Sequence, residues 1–478
     1  MLERLFRLRD NKTTVRTEVI AGITTFMTMA YILAVNPGIL SLQDVPGVSL
    51  VPAGGAFFAT ALAAALGSLF MAVFANYPFA LAPGMGLNAF FAYVVCLKMG
   101  YSWQFALLAV FVEGLIFLAL SLTPVRENIF NSIPFSLKKA VAAGIGLFIA
   151  FIALQGAKVV VANPATLIGL QNFHDAPAHT VRPWAVLALA GTLITAWMVV
   201  KKWKAAVLLG IFATWVLGMV AEWTGWYVPD PAAGFYSIVP SFVGYGTKLC
   251  EQWGEFGQTF GALFDPPSWT HGSGDSLRSG WGLLRSLDFA VVVFTFFFFD
   301  LFDTLGSLIG VSMKAELLDR QGRLPRISGA LYADSVATSV GAVLGTSTTT
   351  TFVESASGVA AGGRTGLTAA TAALLFLASL VLAPVFIAVP SFATAPALLV
   401  VGFYMISAVA DIRFDDFAEA IPAFLAILVM PLAYSISDGI MFGVISYTLL
   451  NLFSGRARKV SLVMYALTVL FIAKYALV

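Results

Sequence analysis

A chain of 478 residues with 59% hydrophobic and 11% charged side chains has too little polar surface to cover a soluble globule. Lipid is its main solvent, and apolar runs of about 18 to 25 residues, long enough to cross a ~30 Å hydrocarbon core, recur along it and exclude a single-pass receptor. The net charge of +2, spread over short loops, leaves no nucleic-acid footprint, and Cys96 and Cys250 form neither a metal nor a disulfide pattern.

The basic N-terminus MLERLFRLRDNKTTVR runs into an apolar stretch without a small-residue cleavage signature, so no removable signal peptide is expected. Hydropathy places spans near 17–35, 55–75, 79–97, 103–122, 134–155, 183–200 and 205–222. A second set follows near 288–312, 328–345, 346–361, 366–389, 396–411, 417–435 and 438–454. Between them lies a Gly-, Pro- and Trp-rich loop, 223–287. Lys and Arg concentrate in the first sixteen residues and in turns near 126–139, 201–204, 314–326, 413 and 456–459. By the positive-inside rule, the N-terminus is then cytoplasmic in a multi-pass cell-membrane protein. The last apolar stretch, Ser461 to Val478, is read as either a fifteenth span or an interfacial helix.

Seven spans per set, an odd number, put the two halves in opposite orientations, the arrangement of an inverted repeat. Phe58 to Ala72 aligns without gaps on Tyr332 to Thr346, sharing Ala59 with Ala333, Ala63 with Ala337 and Gly67 with Gly341. Each matched span is followed by a segment that cannot be an ordinary helix. In the third segment Pro78, Pro83, Gly84 and Gly86 interrupt the run, predicting an extended piece and then a helix from about Leu87 or Asn88. In the tenth, GTSTTTTFVESASGVA puts β-branched threonines ahead of a small-residue helix. Non-helical backbone at membrane depth is tolerated only where protein or a cavity satisfies it, so the two strands are expected to pair and to aim two helix N-termini into one pocket.

An ionisable group near the bilayer centre costs about 2.5 to 3.5 kcal/mol and needs a reason. Asp300, Asp303, Thr304 and Ser307 recur at i, i+3, i+4 and i+7, one polar stripe on a greasy helix. Glu354 and Asn88 stand near the starts of the two broken helices, where capping is the structural alternative to ligand binding. Asp334 and Glu113 are read as structural, and Thr24, Thr25 and Thr28 as bonding their own backbone. His174, His179 and His271 fall in loops, so no histidine relay crosses the membrane. Two carboxylates and an amide among phenylalanines suit a flat, neutral, NH-rich ring, and a carboxylate removed from water can take up and release a proton near neutral pH.

Three motifs, APGMGLNAFFAY (Ala82 to Tyr93), FDLFDTLGSLIGV (Phe299 to Val311) and TSTTTTFVESASGVAAGGRTGLTA (Thr346 to Ala369), with RTEVIAGITTFMTMAYIL (Arg16 to Leu33), resemble the nucleobase-cation symporter family related to uracil permeases, in its azaguanine-type purine branch. The likeness covers nearly the whole chain except the 223–287 loop, which is long for the branch. It implies an all-α membrane fold of about fourteen segments as 7+7 inverted repeats, with short strands in segments 3 and 10 and elevator-like movement of a core against a gate. The implied division is 1–122 and 288–389 for the core, 123–222 and 390–454 for the gate, 223–287 as an extracytoplasmic loop and 455–478 as a C-terminal segment. Matched motifs place Asn88, Asp300 and Glu354, with Phe352 and Gly86, at a purine, and Asp303, alongside Asp300 and Glu354, in proton coupling.

The expected partners are the bilayer, protons and a purine nucleobase, without cofactor or metal; a homodimer, the preferred purine and sodium in place of the proton stay open. An anion transporter of the same fold is the alternative, disfavoured by the acids. An intramembrane protease rests only on Gly272-Ser273-Gly274-Asp275, which spells a GxGD motif in a polar loop without an apolar span around it.

Overall fold

The computed structural model describes residues 2–42, 50–121, 134–163, 166–203, 205–230, 235–240, 243–272, 278–314, 317 and 324–477. Ser273, Gly274 and Asp275 of the GxGD motif, and much of the basic turns near 126 and 314–326, lie outside the described residues.

In chain order, α1 (Leu2–Phe6) precedes α2 (Val15–Met29), which runs on into α3 (Ile32–Ser41). Thr14 starts α2 by accepting from the Thr17 amide. α4 (Ala53–Phe70) ends in a π-helical turn, Met71–Ala75. Strand β1 (Leu81–Pro83) leads to α5 (Met85–Ala89), prolonged as π-helix through Phe90–Lys98. α6 (Trp103–Ser121) and α7 (Phe135–Gly156) follow, then the hairpin β2 (Val160–Asn163) and β3 (Leu167–Leu170), then α8 (Val181–Val200) and α9 (Ala206–Trp223). The connecting region folds into α10 (Tyr245–Thr259) and the short strands β4 (Thr270–His271) and β5 (Arg278–Ser279). The second half carries α11 (Leu287–Lys314), α12 (Ile327–Leu344), β6 (Thr349–Thr351), α13 (Ser355–Ala360), α14 (Gly366–Ala378) and α15 (Ala383–Ile387). α16 (Ser391–Ile406), α17 (Phe417–Leu432), α18 (Ile436–Phe453) and α19 (Leu462–Leu477) complete it.

Among the described residues, nine helical runs are long and apolar enough to cross a membrane, with shorter apolar helices beside them. α3, α4, α11 and α12 pack on the strands, with α6 against α12 and α14 against α4, while α7 packs on α16 and α17, and α8 on α9 and α16. Without a hydrophobic force between helices in lipid, small residues decide how closely they approach. A Cβ on Gly146 of α7 would lie 2.7 Å from the Gly402 carbonyl oxygen of α16, so the two backbones touch. α8 and α9 use a reciprocal device, Gly191 against Thr214 and Gly210 against Thr195.

Two expectations change. The broken helix in the third segment starts at Met85, earlier than Leu87 or Asn88, because Gly84 takes the extended N-cap conformation. The 223–287 region is partly helical: α10 lies against α4, where the Glu255 carboxylate accepts from the Gly54 amide at 2.7 Å and Trp253 meets Phe58 edge-on. α4 begins at Pro52 without a side-chain cap of its own, and Glu255 supplies an acceptor for its first turn. The C-terminal stretch resolves as α19 running antiparallel along α18: Tyr465 donates to the Ala457 carbonyl at 3.2 Å, Thr468 to Thr448 at 2.8 Å, and Tyr475 to Asp438 at 3.1 Å.

Candidate substrate site

β1 and β6 pair antiparallel, Leu81 opposite Thr351, Ala82 opposite Thr350 and Pro83 opposite Thr349. The ladder is extended at both ends by the Gly84 amide donating to Thr348 O at 3.0 Å and the Phe352 amide to Ala80 O at 3.1 Å. Both strands are buried, so their remaining polar groups need protein partners. Ser68 of α4 bonds the Leu81 backbone, Thr338 of α12 donates to Thr349 O at 3.0 Å, and Asp334 accepts from the Thr351 amide at 3.2 Å. Asp334 is thus a strand clamp, in keeping with its structural reading. Gly67 and Gly341, matched in the sequence alignment, both back this pair: a Cβ on Gly67 would lie 3.1 Å from Leu81 Cβ, and one on Gly341 2.7 Å from Thr349 Oγ1.

The polar stripe of α11 faces the strands. The buried Thr304 hydroxyl lies 2.7 Å from Asp334 Oδ2, 3.0 Å from Asp300 Oδ1 and 3.2 Å from Thr350 Oγ1, so it shares its proton between two carboxylates and pairs with a second hydroxyl. Thr350 in turn reaches Asp303 Oδ2 at 3.5 Å. A Cβ on Gly84 would lie 2.7 Å from Thr350 and 3.4 Å from the same Asp303 oxygen, so the glycine lets that carboxylate approach the crossing. Asp300 is fully buried, whereas Asp303, one turn on, is half-buried.

Asn88 is fully buried; its Oδ1 accepts from the Ser347 hydroxyl, and its Nδ2 has no hydrogen-bond partner among the described residues. A buried amide donor left unmade is costly, which makes this one a ready donor for a ligand acceptor. Gly86 packs directly under Phe299 and Ile145, leaving no room for a methyl group. Phe352 is 6% exposed, its ring within the apolar core.

Glu354 stands at the N-cap position of α13, but its carboxylate makes no capping bond. It accepts instead from the Tyr31 phenol at 2.7 Å, and its backbone carbonyl accepts from Thr28 at 3.4 Å. Glu354 is half-buried beside the 58%-exposed Val353. Thr24, Thr25 and Thr28 do bond their own backbone, to Ile20, Ala21 and Thr24 with Thr25 respectively.

The structure therefore gathers Gly84, Asp300, Asp303 and Asn88 around the crossing and sets Glu354 beside it. It adds Tyr31, Thr304, Ser347 and Thr350 as partners; of these only Thr304 carried a periodic signal, and Tyr31 is one aromatic in an apolar run. Among the described residues no group of His, Cys, Asp and Glu has a metal-binding arrangement.

Comparison with known proteins gives a consistent set. The model of the Permease family that groups xanthine and uracil permeases matches residues 16–247 and 266–442. The guanine/hypoxanthine permease PbuG of Bacillus subtilis is 42% identical over 98% of this chain and 98% of its own length. The adenine permease AdeP of Escherichia coli is 41% identical over 99% and 96%. Among solved structures, the transmembrane domain of the cyanobacterial bicarbonate transporter BicA superposes with a TM-score of 0.57 at 14% identity, over 90% of this chain and 97% of that one. Murine Slc26a9, an anion transporter in the inward-facing state, gives 0.59 at 11% identity, over 92% and 68%. These last two share the fold.

Proposed function

The chain belongs to the xanthine/uracil Permease family, in its azaguanine-type purine branch, as a multi-pass membrane transporter and not an enzyme, and from that premise we propose that it imports purine nucleobases. The observation that carries this reading is the grouping of the carboxylates of Asp300, Asp303 and Glu354 with Asn88, whose Nδ2 has no partner among the described residues, near one strand crossing, in a chain 42% identical to a guanine/hypoxanthine permease. A purine offers ring and exocyclic N–H donors to carboxylates, acceptor nitrogens to an amide and a flat face to Phe352 or Phe299. Anion transporters share this fold, but three acids in the pocket repel an anion.

In this reading Asn88, Asp300 and Glu354, with Gly86 and Phe352 behind them, recognise the base. Asp303, half-buried and within reach of Thr350, exchanges a proton in the same cavity and couples its entry to that of the purine. Residues 1–122 and 288–389 form the moving core, and 123–222 and 390–454 the gate, as two inverted repeats of seven spans with a cytoplasmic N-terminus. The close α7–α16 contact at Gly146 and Gly402 suits a rigid gate.

The test is uptake of radiolabelled hypoxanthine, guanine or adenine into cells carrying the transporter, which collapses on adding a protonophore. Competition by the unlabelled bases ranks the substrates. Full uptake by an Asp300→Ala, Glu354→Gln double variant rules out this site, and a strict sodium requirement rules out the proton.

A further inference from the structure

Glu354 holds a position whose own helix does not orient it. Its carboxylate leaves the α13 N-terminus uncapped, and the neighbouring Ser355 hydroxyl is engaged with the Ala80 amide at 3.0 Å. A half-buried glutamate has three rotatable bonds, and freezing it on binding subtracts from affinity. The restraint comes from the other half of the sequence. Tyr31 is 1% exposed, at the junction of α2 and α3, and its phenol donates to Glu354 Oε1 at 2.7 Å. A tyrosine has only two side-chain torsions, and this ring is enclosed in the apolar core, so its hydroxyl is a fixed point.

The platform beneath is equally fixed. Thr28 reaches the Glu354 carbonyl, and a Cβ on Gly358 of α13 would lie 2.8 Å from the Ala21 carbonyl of α2, so α13 lies directly on α2 without slack. We propose that Tyr31 is a positioning residue of the substrate site: it holds Oε1 of Glu354 and thereby presents Oε2, already oriented, to an N–H donor of the base. The proposal rests on the purine reading above and adds to it a residue that touches Glu354 and acts through it.

The experiment uses the full-length transporter purified into proteoliposomes. Tyr31→Phe removes one hydroxyl and keeps the ring, and is expected to raise KM for the transported purine about 3- to 10-fold, with Vmax and thermal unfolding close to wild type. Binding of the radiolabelled purine is then measured for Tyr31→Phe, Glu354→Ala and the double variant, so that a variant unable to transport still reports. Because Tyr31 acts through Glu354, and alanine leaves its phenol no acceptor there, adding Tyr31→Phe to Glu354→Ala weakens binding no further. Should Tyr31→Phe fail to fold, 3-fluorotyrosine incorporated at position 31 keeps the ring and strengthens the donor, and is expected to lower KM. An unchanged KM in Tyr31→Phe, or in the fluorotyrosine protein where that variant does not fold, or full additivity in the double variant, overturns the proposal. Wild-type protein that takes up no purine overturns the functional reading instead, so the two failures are told apart.

Discussion

The two broken segments reach the same crossing by opposite chemistry. In the first, Pro78 and Pro83 forbid helix, Gly84 caps α5, and Gly86 brings the helix against Phe299, so the site is approached with bare backbone and one buried amide. In the second, threonines build the strand, and the helix that follows opens with a half-buried carboxylate tied to a phenol from elsewhere in the chain. The first segment contributes shape and the second contributes charge. Loss of charge should then impair recognition, and loss of shape should impair stability.

The largest effect is expected at the charged side. Replacing Glu354 by Gln removes a charge-assisted acceptor worth about 1.5 to 3 kcal/mol, so purine uptake efficiency should fall about 10- to 100-fold with little change in unfolding temperature. A larger loss from Asn88→Ala than from Glu354→Gln would invert the comparison. Next comes Gly86→Ala, where the added methyl meets Phe299 and Ile145. Overpacking of this kind costs about 1 to 3 kcal/mol, to be read as a lower melting temperature in detergent that Phe299→Leu partly restores. A third and smaller effect is expected from Ser347→Ala, which removes the hydrogen bond to Asn88. At about 0.5 to 1.5 kcal/mol it should raise KM by about 2- to 10-fold while leaving Vmax alone. The smallest belongs far from the crossing: Lys98, which donates to the Ala433 carbonyl at 2.7 Å and pairs with Asp438 at 3.5 Å, is half-exposed. Lys98→Ala should cost no more than about 1 kcal/mol, and a larger fall in melting temperature would show that stability is not concentrated at the strands.

Much of this was legible beforehand because it depends on local composition. Apolar runs placed most of the long helices to within a few residues, and Pro78, Pro83 and the threonines of 348–351 located the two breaks and led to the pairing of their strands. The i, i+3, i+4 spacing put Asp300, Asp303 and Thr304 on one face of α11. What escaped was held by distant partners. α10 contains Gly246, Gly254 and Gly257, weak helix formers, and is supported by packing on α4 rather than by propensity. Glu354 reads from the sequence as a ligand-binding residue with capping as the alternative, but the phenol that takes its carboxylate lies 323 residues away and gives no local signal.

The sequence by itself determined that lipid is the solvent, where helices can run, where they must break and which charges enter the membrane, since hydrophobic length, proline sterics and side-chain period are properties of neighbouring residues. The tertiary structure alone decided which oxygens those charges present. Asp300 and Asp303 are one turn apart with the same side chain, yet the first is enclosed with Thr304 and the second is half-buried beside Thr350. The surroundings that separate them come from α12 and β6, held in place by the single pair of strands onto which the two halves of the chain fold.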